Sequence, residues 1–145
     1  MANTFKSARL TYRAFDWDTD QEYLQQRQAD VDGVANSSTA MLKALGKDDL
    51  EDLKRKLESC LLVVVICLPP TAEGGESVPV GDVTLAGLEP RIAHHRSTSI
   101  GVRVLPPYQG QGYGSEAILW VTDWAFRMAG VHRVGMLCEL VSKGL

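Results

Sequence analysis

Apolar positions along this chain follow two rhythms. An alternation of period two marks Ala8–Phe15 (ARLTYRAF), Val80–Leu88 (VGDVTLAGL) and Ser97–Leu105 (STSIGVRVL) as strands with one covered face. The run Leu61–Leu68 (LLVVVICL) does not alternate. Rich in β-branched residues and closed by Pro69-Pro70, it predicts a central strand buried on both faces. Helical spacing appears between these segments. DWDTDQEYLQQRQAD predicts a short helix capped by Asp18 or Thr19. After a small, polar loop at Val31–Ser38, helices are predicted at Thr39–Leu45 and Asp48–Ser59, split at Gly46, with Leu50, Leu53 and Leu57 in one stripe. Ser115–Ala129 carries Ile118, Val121, Thr122, Ala125 and Ala129 on one helical face, with Gly130 as its stop, and Arg133–Leu140 is a last short strand.

Strands and helices in this order predict an α/β (α+β) domain: a mixed, mostly antiparallel sheet flanked by helices. PPTAEGGESVP is a hairpin connection, Glu89–Arg96 a broad loop, and Gly101 inside its strand suggests a bulge or a close backbone approach. The length of 145 residues suits one domain spanning 1–145.

Composition narrows the function classes. Hydrophobic residues at 45% and charged residues at 23% are ordinary globular usage, which argues against disorder. Fifteen Lys and Arg against 18 Asp and Glu leave a net charge of −3, so nucleic acid is not an expected partner. Basic residues nevertheless outnumber acidic ones after Pro90, which predicts that the C-terminal part receives an anion. Cys60, Cys67 and Cys138 form no CxxC pair and read as reduced thiols, and no apolar run approaches the ~20 residues of a membrane helix. A cytoplasmic protein without a membrane partner is the expectation, and neither the cysteines nor His94-His95 have metal-ligand spacing.

The chemistry concentrates in Gln109-Gly110-Gln111-Gly112-Tyr113-Gly114-Ser115, between a strand that ends in prolines and an amphipathic helix. Glycines let amides face a ligand without obstruction, and a helix start offers unpaired N–H groups and a positive pole, so this is an anion cradle. The GK[ST] ending of a P-loop is absent, and GxGxG placed late in the chain does not fit a dinucleotide fingerprint.

Gln109-x-x-Gly112-x-Gly114 resembles the [RQ]xxGx[GA] pyrophosphate loop of the GNAT acyltransferase superfamily. Ala8–Arg13 resembles the opening strand of the branch that acetylates ribosomal protein N-termini, Val80–Leu85 resembles its "xGxIxL" strand, and GYGSEAI and HRV follow that branch too. The resemblance implies a GNAT-like fold binding acetyl-CoA, with acetyl transfer to a primary amine by direct attack in a ternary complex. Residues 109–115 would hold the pyrophosphate. The backbone of Val102, Arg103 and Val104 would hold the pantetheine arm in a gap between Ser97–Leu105 and Arg133–Leu140, with Gly101 permitting a bulge, and a backbone N–H there would polarise the thioester.

Attack needs a neutral amine and hence a general base. Ser97–Leu105 contains no carboxylate, so the candidates are Glu89, Glu139, His94 and His95, with Glu89 placed first. The family continues with a further helix and two strands, which implies a domain incomplete at its C-terminus and a last strand open to a second copy of the chain. A homodimer is one consequence, and a non-catalytic CoA-binding or interaction module is the alternative to an enzyme.

Overall fold

A computed structural model describes residues 4–30, 47–71 and 73–136. Its strands are β1 (Thr11–Ala14), β2 (Leu62–Leu68), β3 (Val78–Leu85), β4 (Ser97–Val104) and β5 (Arg133–Met136), and its helices are α1 (Gln21–Ala29), α2 (Lys47–Glu58) and α3 (Tyr113–Arg127). The sheet order is β1-β2-β3-β4-β5. The first four strands form an antiparallel meander and β5 joins β4 in parallel, so the mixed, mostly antiparallel sheet is as expected. The predicted loop Val31–Ser38, the helix Thr39–Leu45 and residues 137–140 of the last strand lie outside the described residues.

The uninterrupted apolar run of β2 is explained by helices on both faces. Val64 and Ile66 join Tyr12, Val83, Leu85 and Ile100 beneath Ala117, Val121 and Ala125 of α3. On the opposite face Val63 lines a small hollow with Leu24 and Arg27 of α1 and Leu53 and Leu57 of α2, and Val65 is fully buried. The strand is interior, although β3 occupies the middle of the sheet.

A buried polar cluster ties α1 to the sheet. Tyr23 donates its hydroxyl to Asp82 Oδ2 at 2.6 Å, and Arg27 Nε donates to the same oxygen at 2.8 Å. Arg103 stands beside Asp82 across the β3–β4 ladder and is equally buried. Burial, then the neighbouring Arg27, lowers the Arg103 pKa against the pull of Asp82, and burial beside Asp82 raises that of Tyr23 well above 10.

Two local expectations are corrected. The N-cap of α1 is Asp20, not Asp18 or Thr19, and its side chain caps nothing. The carboxylate turns inward, taking Arg13 Nη1 at 2.8 Å and Nη2 at 2.6 Å, because a buried charge must be paired. The strand irregularity also lies elsewhere than at Gly101. The register slips between Ile66 and Cys67, where Val80 is the unpaired extra residue of β3, and runs on without a break past Thr84–Gly101. That slip lets β3 start at Val78, two residues before the expected Val80, while Gly101 serves a close approach: a Cβ there would lie 2.6 Å from Thr84 Oγ1.

The far end of α3 is closed by Arg96, the one non-glycine residue with positive φ among the described residues. Its guanidinium donates to the carbonyls of Ala129 and Gly130, each at 2.7 Å, and its own carbonyl accepts from His132 and Arg133 at 2.7 and 3.3 Å. One residue thereby holds the turn that follows α3 and launches β5.

A Cβ on Gly81 would stand 2.1 Å from the Arg103 carbonyl oxygen, whereas one on Gly135 meets nothing within 4 Å. Gly81→Ala is therefore expected to cost at least about 1–3 kcal/mol in denaturant unfolding, and Gly135→Ala to stay within about 0.5 kcal/mol.

Candidate functional site

The glycine segment adopts the geometry its composition suggested. After Val104 the chain makes a short 3-10 turn at Pro106–Tyr108, and Gly110 and Gly112 then take φ of +76° and +84°. This left-handed conformation is open to glycine and strained for most other residues. Gly112 is the N-cap of α3 and provides no side-chain cap, so the first amides of the helix face outward with its positive pole. The helix begins at Tyr113, two residues before the expected Ser115, which places Tyr113, Gly114 and Ser115 in its first turn. Gly114 is less constrained than Gly112: a Cβ there makes ordinary contact with Val104 at 3.6 Å. Gln109 binds its own strand, donating its amide to the Val104 carbonyl at 2.9 Å.

Strand β4 presents its two edges differently. Leu105 N–H bonds Val80 and the Ser99 carbonyl accepts from Ala86, so odd-numbered residues turn their backbone groups toward β3 and even-numbered ones toward β5. Val102 and Val104 thus face the β5 side. Arg103 does not: its backbone serves the β3 ladder and its side chain belongs to the Asp82 cluster. Among the described residues, β4–β5 pairing runs from Ser97–Arg133 to Ile100–Met136, and the stretch toward Val104 lies beyond it.

The candidate bases lie at the other end of this strand. Glu89 and the His94-His95 pair precede Ser97, at the paired end of β4, and all three are exposed. The two imidazoles do not diverge, since their rings pack edge to face at 4.2 Å. Glu139 lies outside the described residues.

Among the described residues the expected meeting of the C-terminal basic residues with the anion cradle does not occur, and Lys143 lies outside them. Arg91, Arg96 and Arg133 sit at the paired end of β4, Arg127 near the far end of α3, and Arg103 on the α1 face, because the antiparallel run of β4 and α3 puts those positions away from the loop. The cation at the loop comes from the N-terminal segment. Arg9 donates Nη1 to the Gln111 carbonyl at 2.9 Å and Nε to Glu116 Oε1 at 2.9 Å, with its guanidinium 4.7 Å above the Tyr113 ring. Glu116 also accepts from the Ser7 hydroxyl and, at 3.0 Å, from the Arg9 amide. Trp120 anchors the same segment, stacking on Tyr12 at 3.9 Å and donating to the Thr4 carbonyl at 2.8 Å, which makes it a structural residue. Periodicity cannot reveal a contact between residues 107 positions apart, although a basic residue before the first strand and an acid in the first turn of α3 were the available signals.

A groove of about 810 Å³ opens between α1 and the start of β3, with Asp16, Glu22, Glu76 and Tyr108 among its lining. The sign of its charge makes it a poor place for phosphate, so the anion assignment rests on the loop.

The family model described as "Acetyltransferase (GNAT) domain" matches residues 9–140. No curated protein matches. Among solved structures, an acetyltransferase (GNAT family) from Bacillus anthracis superposes with a TM-score of 0.71 at 20% identity, covering 94% of this chain and 74% of the other. Spermidine N-acetyltransferase from Vibrio cholerae, in complex with CoA and spermine, gives 0.67 at 19% identity over 88% and 70%. RimJ from Mycobacterium smegmatis, in complex with CoA-disulfide, gives 0.68 at 19% identity over 92% and 64%.

Burial alone would raise the Glu116 pKa, but the hydrogen bonds from Ser7 and Arg9 outweigh it and hold the carboxyl below its ordinary value of 4.5. A depressed folded pKa adds stability above the unfolded value, and this is lost as pH falls through the folded value. The stability difference between the native chain and Glu116→Gln should therefore be full above about pH 4.5 and shrink under more acid conditions, read from denaturant curves across pH.

Proposed function

Because the chain belongs to the acetyltransferase (GNAT) domain family, we propose that it transfers the acetyl group of acetyl-CoA to a primary amine. The observation that carries this reading is the pair of left-handed glycines, Gly110 and Gly112, at the uncapped start of α3 directly after β4. Amides of residues 109–115 and the pole of α3 hold the CoA pyrophosphate. The pantetheine arm runs back along β4 from the loop, meeting the backbone groups of Val102 and Val104 on the β5 side, while Arg103 acts from the opposite face by holding the strand in place.

The thioester then lies toward the closed end of the gap, near Ile100–Val102. A backbone N–H at that point stabilises the oxyanion as the amine attacks. The proton lost by the ammonium goes to a base, the amine nitrogen gains the acetyl carbon, and the CoA thiolate leaves and takes up the second proton that the nitrogen sheds as the amide forms. Glu89 lies beyond the same end, before Ser97, and would take the proton through intervening water. Candidate acceptors are a polyamine, the class in the Vibrio cholerae complex, and a protein N-terminus.

Acetyl-CoA should raise the thermal midpoint, by about 2.7 kcal/mol of added stability at 100 times Kd, and an amine panel of spermine, spermidine and peptide N-termini should release free thiol. Gly112→Val should abolish that stabilisation while the chain stays folded, and CoA affinity unchanged by calorimetry would remove the loop assignment. Stabilisation without turnover on any amine would identify a binding module instead of an enzyme.

Glu89→Gln should lower kcat about 10²-fold. A kcat equal to that of the native chain would release Glu89 from the role.

A further inference from the structure

Arg9 belongs to no part of the glycine motif, yet three contacts tie it to the loop: the Gln111 carbonyl, the Glu116 carboxylate and the Tyr113 ring. Its remaining terminal nitrogen lies 3.2 Å from where a Cβ on Gly112 would stand. The geometry of a trans peptide gives the first contact its meaning. The C=O of Gln111 and the N–H of Gly112 point in opposite directions across one planar unit, so holding the oxygen at Arg9 aims the Gly112 amide away from Arg9, toward the outer side of the loop.

The second contact concerns charge. Glu116 lies in the first turn of α3, at the helix end that would attract a phosphate. An unpaired carboxylate there would repel the same anion. Arg9 binds it through both Nε and its own backbone amide, and Ser7 adds a hydroxyl.

We propose that Arg9 is a positioning residue of the cofactor site: it orients the 111–112 peptide and neutralises Glu116, so that the cradle presents an outward amide and no competing carboxylate to a pyrophosphate. This rests on the assignment of the loop to CoA. Arg9 acts through the protein groups that its Nε and Nη1 engage, and no sequence pattern for the loop includes it.

The test is calorimetric affinity for CoA in the native chain, Arg9→Ala, Arg9→Lys and Arg9→Ala/Glu116→Gln, with a thermal midpoint for each. Arg9→Ala should weaken CoA about 10- to 100-fold, the equivalent of one or two charge-assisted hydrogen bonds, with the loss falling on KM for acetyl-CoA more than on kcat. Arg9→Lys should recover only part, because one ammonium cannot reach carbonyl and carboxylate as a planar fork does. The double variant should bind CoA more tightly than Arg9→Ala, since the stranded carboxylate is gone. A merely structural role would give no such recovery.

Native-like CoA affinity in Arg9→Ala, or no gain from adding Glu116→Gln, overturns the proposal. If Arg9→Ala fails to fold, Arg9→Lys and Arg9→Lys/Glu116→Gln carry the same comparison. A native chain that does not bind CoA, or a Gly112→Val variant that binds it normally, instead overturns the loop assignment on which the proposal stands.

Discussion

The structure depends on the ladder that fixes β4 against β3. Toward β3 the strand is paired along Ile100–Val104, and the ladder packs so closely that Gly81 and Gly101 admit no side chain without displacement. A backbone with one saturated edge is held rigidly, and the even-numbered groups of β4 point away from that edge. The glycine loop follows directly from that strand, so a single element would align the backbone and anion contacts of the proposed site.

Two helical layers keep this strand from relaxing. On one face Ala117, Val121 and Ala125 bring α3 close to the sheet through small side chains, and on the other the Asp82 cluster joins α1 to β3 beside Arg103. The cluster places two arginines around one carboxylate, an arrangement held by hydrogen bonding and burial, whose contribution to net stability is typically small compared with its effect on geometry. Residues 102–104 are therefore clamped from the side opposite α3, and the valines beside Arg103 inherit its fixed position.

Much of this was legible in the sequence for definite physical reasons. The apolar run of β2 announces helices on both faces because only a doubly covered strand tolerates it, and alternate glycines before an amphipathic helix announce an uncapped, anion-ready N-terminus. What escaped were effects of tertiary charge. The local pattern offers Asp18 or Thr19 as the cap of α1 and gives no sign that Arg13 claims the carboxylate of Asp20. Composition located a basic excess after Pro90, but antiparallel chain direction carries most of those residues to the wrong end of the sheet. The cation that reaches the loop comes from residue 9, and nothing in local periodicity connects it with residue 116.

The closure of α3 by Arg96 has an electrostatic consequence. A free helix is a dipole, and its field at one pole is partly cancelled by the other. Here a guanidinium sits just past the negative pole, on the carbonyls of Ala129 and Gly130, and the carboxylate in the first turn is matched by Arg9. The compensating charges leave the uncapped amides as the local source of positive potential at the loop, so the pole of α3 would act on the proposed pyrophosphate with no carboxylate beside it to oppose it.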